Sequence, residues 1–169
     1  DQAGSATFAA NAQAHVGVLR SLGPADVRVG EVDGEYCPGE FSINVAGTAK
    51  VVGSAQRVTA RAALFSTVVQ VEMSAAVREV IERVSAALGY PLRTSSIAGL
   101  ADVVPDLTVA EVADAFRADY RARLGLADGP LPERVVAHAR GATEAGTSDL
   151  PFHVDDWARA HPLPVADTV

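Results

Sequence analysis

Between Phe41 and Glu72 short apolar segments are separated by turn-forming residues, which breaks the stretch into arms. Phe41, Ile43 and Val45 alternate with polar neighbours, Asn44 to Gly47 can reverse the chain, and a second arm follows through Lys50. A further strand is expected from Ala62 to Glu72, where Leu64, Val68, Val69 and Val71 supply β-branched and aliphatic bulk. A shorter one is expected over Val27 to Val32. A period of two buries one face of a sheet and leaves the other free, so this stretch predicts an antiparallel meander.

The flanking sequence supplies helices for the buried face. Phe8, Ala12, Val16, Leu19 and Leu22 return every three or four residues, which predicts a helix over Ser5–Leu22 ended by Gly23-Pro24. Ser74 starts a second, with Val77, Val80, Ile81, Val84 and Leu88 as its apolar stripe, Gly89 as its end, and Arg78, Glu79, Glu82 and Arg83 as its solvated face. Ser96 caps a short helix through Val103, stopped by Pro105. Thr108-Val109-Ala110-Glu111 matches a capping box, and Val112, Phe116 and Tyr120 mark a long helix ending near Gly125. One more helix, about Pro132 to Ala142, precedes an irregular tail. The expected fold is α+β, a mixed, largely antiparallel sheet packed with helices. The expected division is a main domain, 1–125, and a C-terminal appendage, 126–169.

Composition narrows the function. The chain has 169 residues, 49% of them apolar, enough for a sizeable core. A net charge of −7 with no Lys/Arg cluster argues against nucleic acid. No apolar run is long enough to span a membrane. The N-terminus lacks a basic and apolar leader, so a cytoplasmic location is expected. The sequence does not begin with methionine, as a processed or incomplete product would not. A single cysteine excludes an internal disulfide and a cysteine-built zinc site. His138, His153 and His161 show no ligand spacing, so no metal site is expected. Asp155-Asp156 suits a helix start better than acid–base chemistry, Phe152 and Trp157 suit docking of the tail, and His15 suits a half-buried helix position.

Two residues stand apart. Lys50 is the sole lysine among fourteen basic residues, set between apolar residues and followed by Gly53-Ser54-Ala55. An ammonium is a compact charge with three donors that guanidinium does not copy, and small neighbours admit a ligand. The same residue also reads as a charge blunting an edge strand. Cys37 lies in the Gly34–Gly39 loop before Pro38, thirteen residues upstream, close enough to meet Lys50 on one face. A nearby ammonium would favour its thiolate, and an inert, partly buried cysteine is the other reading.

Gly47-Thr48-Ala49-Lys50-Val51-Val52-Gly53-Ser54-Ala55-Gln56-Arg57 resembles the G-x-K-[IV]-x-G-[ST]-A-x-R stretch of the lipoate-protein ligase A and octanoyltransferase family, with one extra residue before the lysine. Ala63-Leu64-Phe65-Ser66 resembles the strand that follows, although Ser66-Thr67 stands where that family often has His-Gly. Ser96 to Leu100, Pro105 to Thr108 and Ala115-Phe116 are similar to the segment closing the catalytic domain, so the resemblance covers about Val27 to Tyr120. It implies a fold related to biotin ligases and class II synthetases. It also implies attachment of lipoate or octanoate to a lysine on lipoyl domains of 2-oxoacid dehydrogenases or on the glycine-cleavage H protein.

In the ligases an acyl-adenylate forms from ATP and Mg2+. The resemblance gives Lys50 the acyl carbonyl and phosphate region, with Gly53, Ser54, Ala55, Gln56 and Arg57 lining the substrate pocket. In cysteine-dependent relatives an acyl-thioester forms instead, which makes Cys37 the candidate nucleophile and an acyl carrier protein a candidate donor. The family's R-R-x-G-G-G segment, which helps to hold the adenylate, is not in these 169 residues. A non-catalytic accessory subunit of a two-chain ligase is therefore a third reading.

Overall fold

A computed structural model describes residues 2–144. Phe152, His153, Asp155, Asp156, Trp157 and His161 lie outside the described residues. The chain divides after Leu126 into two units. The first contains α1 (Gln2–Ser21), β1 (Val27–Val29), β2 (Ile43–Val45), β3 (Ala49–Val58), β4 (Ala63–Val69), α2 (Ala75–Ala87) and α3 (Val109–Leu124). The second contributes α4 (Glu133–Glu144).

The four strands pair antiparallel in chain order, β1-β2-β3-β4, as the meander requires. Asn44 is buried and fixes the first turns: its Nδ2 donates to the Gly30 carbonyl at 2.9 Å, and its Oδ1 accepts the Gly47 N–H at 3.0 Å. Ile43 lies opposite Val52 and Asn44 opposite Lys50, so Val51 is an extra residue in β3, a β-bulge. The bulge lets Val51 and Val52 both enter the core although they are adjacent. The core lies where the sheet meets α1 and α3, around Val16, Leu19, Ile43, Val51, Leu100 and Phe116. His15 is fully buried there, not half-buried, and its Nε2 lies 3.0 Å from the Tyr120 hydroxyl. Burial holds its imidazole below the ordinary value, with Arg123 acting in the same direction. The capping box of α3 forms as expected, with reciprocal bonds between Thr108 and Glu111.

Three further expectations change. The helix expected from Ser96 to Val103 is two single turns, Thr94–Ser96 and Leu100–Asp102. Ile97 between them is extended and bridges Lys50 in parallel. Gly99 explains the break: a Cβ there would stand 2.6 Å from the Val71 carbonyl oxygen. Its bareness lets the next two N–H groups reach Gln70 O and Val71 O at 2.8 and 2.9 Å.

The apolar stripe of α2 is not core. Val77, Val80, Val84 and Leu88 are exposed, Leu88 at 75%, and the buried residue of the helix is Ser85. Arg78 is not solvated as expected: it donates to the Ile97 carbonyl and pairs with Asp102.

With so little of α2 packed, local bonds carry much of its stability. Ser74 Oγ accepts the Val77 N–H at 3.2 Å. Ser74→Ala is expected to cost about 1 kcal/mol, read as faster amide hydrogen exchange across α2 while α3 is unchanged. Among the described residues no helix is long and apolar enough to cross a membrane.

Candidate functional site

Lys50 sits on β3, an interior strand, so it blunts no edge. It is 3% exposed. A buried ammonium must spend its three protons on acceptors, and Lys50 does so. Nζ donates to Glu35 Oε1 at 3.1 Å, to the Tyr36 carbonyl at 3.1 Å and to the Cys37 carbonyl at 2.5 Å. All three acceptors belong to the loop before β2. Nζ also lies 5.1 Å from the centre of the Tyr36 ring.

Glu35 is the residue that sequence reasoning passed over. Its side chain is wholly buried. Oε1 also accepts the Ser42 hydroxyl at 2.6 Å and the Gly39 N–H at 3.2 Å, while Oε2 accepts the Val32 N–H at 3.0 Å. One carboxylate thereby ties both ends of the loop to the lysine. The only signal in the sequence is indirect: a lone lysine among apolar residues needs a counter-charge, and Glu35 is one of several carboxylates upstream.

The loop and the sheet enclose a cavity of about 610 Å3. Lys50, Gly53, Ser54 and Ala55 line it from β3, and Cys37 and Tyr36 from the loop. The alternation of β4 divides that strand. Ser66, Val68 and Gln70 line the cavity, whereas Phe65, Thr67 and Val69 line a cleft shared with α3. Phe8 of α1 closes one side, stacked on Phe41 with ring centres 5.7 Å apart. A Cβ at Gly53 would meet the Lys50 stem at an ordinary 3.5 Å. Gln70 Nε2 donates to the Tyr36 hydroxyl, and burial pushes that phenol up to about 12.

Five of the seven expected site residues therefore share one cavity: Lys50, Cys37, Gly53, Ser54 and Ala55. Gln56 and Arg57 do not line it; they lie further along β3, opposite Phe65 and Leu64, where Arg57 is exposed. Cys37 is exposed and free, with φ at +44°, a left-handed conformation unusual for a residue with a side chain. Lys50 meets its carbonyl rather than its thiol. Cys37 and Tyr36 also border a second, apolar cavity of about 400 Å3 formed with Val80, Ile81, Val84 and Leu88. Among the described residues no group of His, Cys, Asp and Glu is arranged to hold a metal ion.

The arrangement can do one thing well. An apolar chain fits the walls, and Lys50 at the wall can exchange a loop carbonyl for an acyl oxygen.

Comparison with known proteins agrees on the fold. No protein-family model matches the chain, and no curated protein matches it by sequence. Among solved structures, lipoate-protein ligase A bound with ATP superposes with a TM-score of 0.62 at 23% identity, over 83% of this chain and 55% of that one. A candidate lipoate protein ligase from T. acidophilum gives a TM-score of 0.62 at 22% identity, over 86% and 56%. The chain thus has the α+β fold of the lipoate-protein ligases, and it spans little more than half the length of the two structures it matches.

Proposed function

We propose that the chain takes part in attaching lipoate or octanoate to a lysine of lipoyl-domain proteins, and that Lys50 holds the activated acyl group. The observation that carries this reading is a buried ammonium at the wall of an otherwise largely apolar cavity, within a lipoate-ligase fold. ATP with its magnesium enters as substrate. The carboxylate oxygen attacks the α-phosphorus and pyrophosphate leaves. The acceptor amine then attacks the acyl carbon, AMP departs with the bonding electrons, and the amine gives up a proton. Lys50 would orient the carboxylate in the first step and, in the second, donate to the acyl oxygen as charge builds there. To do so it must release the Tyr36 or Cys37 carbonyl, and the acyl oxygen takes the vacated place.

A second reading is favoured by Cys37 facing the same cavity. Its thiolate would attack the thioester of an octanoyl carrier protein, the carrier thiol would leave, and the acyl group would pass from Cys37 to the acceptor amine. Lys50 would then hold the nucleophile's backbone. The chain spans little more than half the length of the solved ligases, so binding is tested as well as acyl transfer.

Titration with an octanoyl-sulfamoyl-adenosine analogue is expected to show binding that Lys50→Arg weakens at least about tenfold. Mass spectrometry after incubation with octanoyl carrier protein separates the routes, because only the second leaves an octanoyl adduct on Cys37. A chain that neither binds the analogue nor gains the adduct overturns both.

A further inference from the structure

Glu35 has no part in the chemistry just described, yet it makes more polar contacts than any other side chain at the site. We propose that Glu35 is a positioning residue for Lys50: it fixes the direction of the ammonium so that its two remaining N–H groups point where an acyl oxygen can replace a loop carbonyl. The inference rests on the reading that Lys50 donates to the acyl group.

A lysine stem has four flexible carbons and a strongly hydrated head, which without a fixed acceptor would reach out through the cavity toward water. Glu35 is itself immobile, because Ser42, Gly39 and Val32 occupy its oxygens alongside Lys50. Those partners lie on both sides of the loop that carries Tyr36 and Cys37. One carboxylate therefore sets the lysine's direction and the loop's shape together. The pair is also neutral as a unit, so the cavity receives a directional donor instead of an unbalanced buried charge.

Because Lys50 is the sole lysine, an amine-specific acetylating reagent reports on it directly, with the N-terminal amine resolved by peptide mass. In the wild-type chain Lys50 is expected to react slowly. Glu35→Gln, which keeps the shape and removes the charge, should raise that rate about tenfold or more, and Glu35→Asp should fall between. The same variant should weaken binding of the octanoyl-sulfamoyl-adenosine analogue by about tenfold. In a Lys50→Met background Glu35→Gln should weaken it no further, because a residue acting through Lys50 has nothing left to act on.

Wild-type labelling in a folded Glu35→Gln chain overturns the proposal, as does a full additional loss in the Lys50→Met background. If Glu35→Gln does not fold, Ser42→Ala removes one donor from the same oxygen and should raise labelling about threefold; no rise there is equally fatal. Absence of analogue binding by the wild type would instead sink the functional reading, and the labelling result would still decide the role of Glu35.

Discussion

Lys50→Met is expected to lower the stability of the chain by about 3–5 kcal/mol, the largest effect of any single substitution at the site. Methionine matches the stem in volume and removes only the charged head, so the stem's approach to Gly53 is kept. What is lost is the partner of Glu35, which stays wholly buried with three other donors around it. Leaving one charge of a buried pair costs far more than removing both. The double variant Lys50→Met with Glu35→Gln should therefore recover a large part of the loss, although it holds one more substitution. Urea unfolding followed by circular dichroism measures both. If Lys50→Met alone unfolds within about 1 kcal/mol of the wild type, the pair is behaving like a solvent-screened surface bridge, and the picture of a dry ammonium at the cavity wall fails with it.

The sequence announced the lysine and not its anchor, for a physical reason. Lys50 is conspicuous because its own neighbours are apolar, a local property that spacing can reveal. Glu35 sits among Asp33, Gly34 and Tyr36 in a stretch that reads as an exposed loop. Its burial comes from the closure of that loop onto β3, fifteen residues away, through bonds to Ser42 and Lys50. Pattern rules follow periodicity within an element and do not follow such closure. The meander, α1 and α3 were legible because each carries its own periodicity and stop signals, down to the Thr108 capping box.

The stripe on α2 was legible as amphipathic, but a stripe says only that one side is apolar and does not name what covers it. Ser96 to Val103 failed differently. Its helix-compatible composition is overridden by tertiary hydrogen bonds from Leu100 and Ala101 to Gln70 and Val71, just past β4, a choice made outside the segment. Convergence of Cys37 and Lys50 was open to geometry, since one strand and a turn separate them, but which group of Cys37 meets the ammonium was not. It is the carbonyl, and that makes the loop's backbone part of the site.

Gly34→Ala is the second large effect, because that backbone is held in place by a residue with no room for a side chain. Gly34 has φ at +71°, where a β-carbon costs roughly 1–2 kcal/mol. An added Cβ would also stand 2.6 Å from Arg93 Cγ and 2.9 Å from the Arg93 backbone nitrogen. The side-chain atom can swing away; the backbone nitrogen cannot, since it donates to the Gly34 carbonyl at 2.8 Å. Ser96 Oγ donates to the same carbonyl at 3.0 Å, so relief of the clash would pull the loop from two anchors at once. Strain and overpacking together should cost about 2–5 kcal/mol.

Gly39→Ala is the matched control five residues on. There a Cβ would meet only Ser42 Oγ, at an ordinary 3.7 Å, and the change should stay within about 0.5 kcal/mol. Glu35 follows Gly34 directly, so a displaced loop also moves the Lys50 anchor. Gly34→Ala should then raise acetylation of Lys50 in the folded fraction, whereas Gly39→Ala should not. Equal stability losses for the two alanines in urea unfolding would mean that the loop is free to shift, and that Lys50 is held by something other than the backbone it touches.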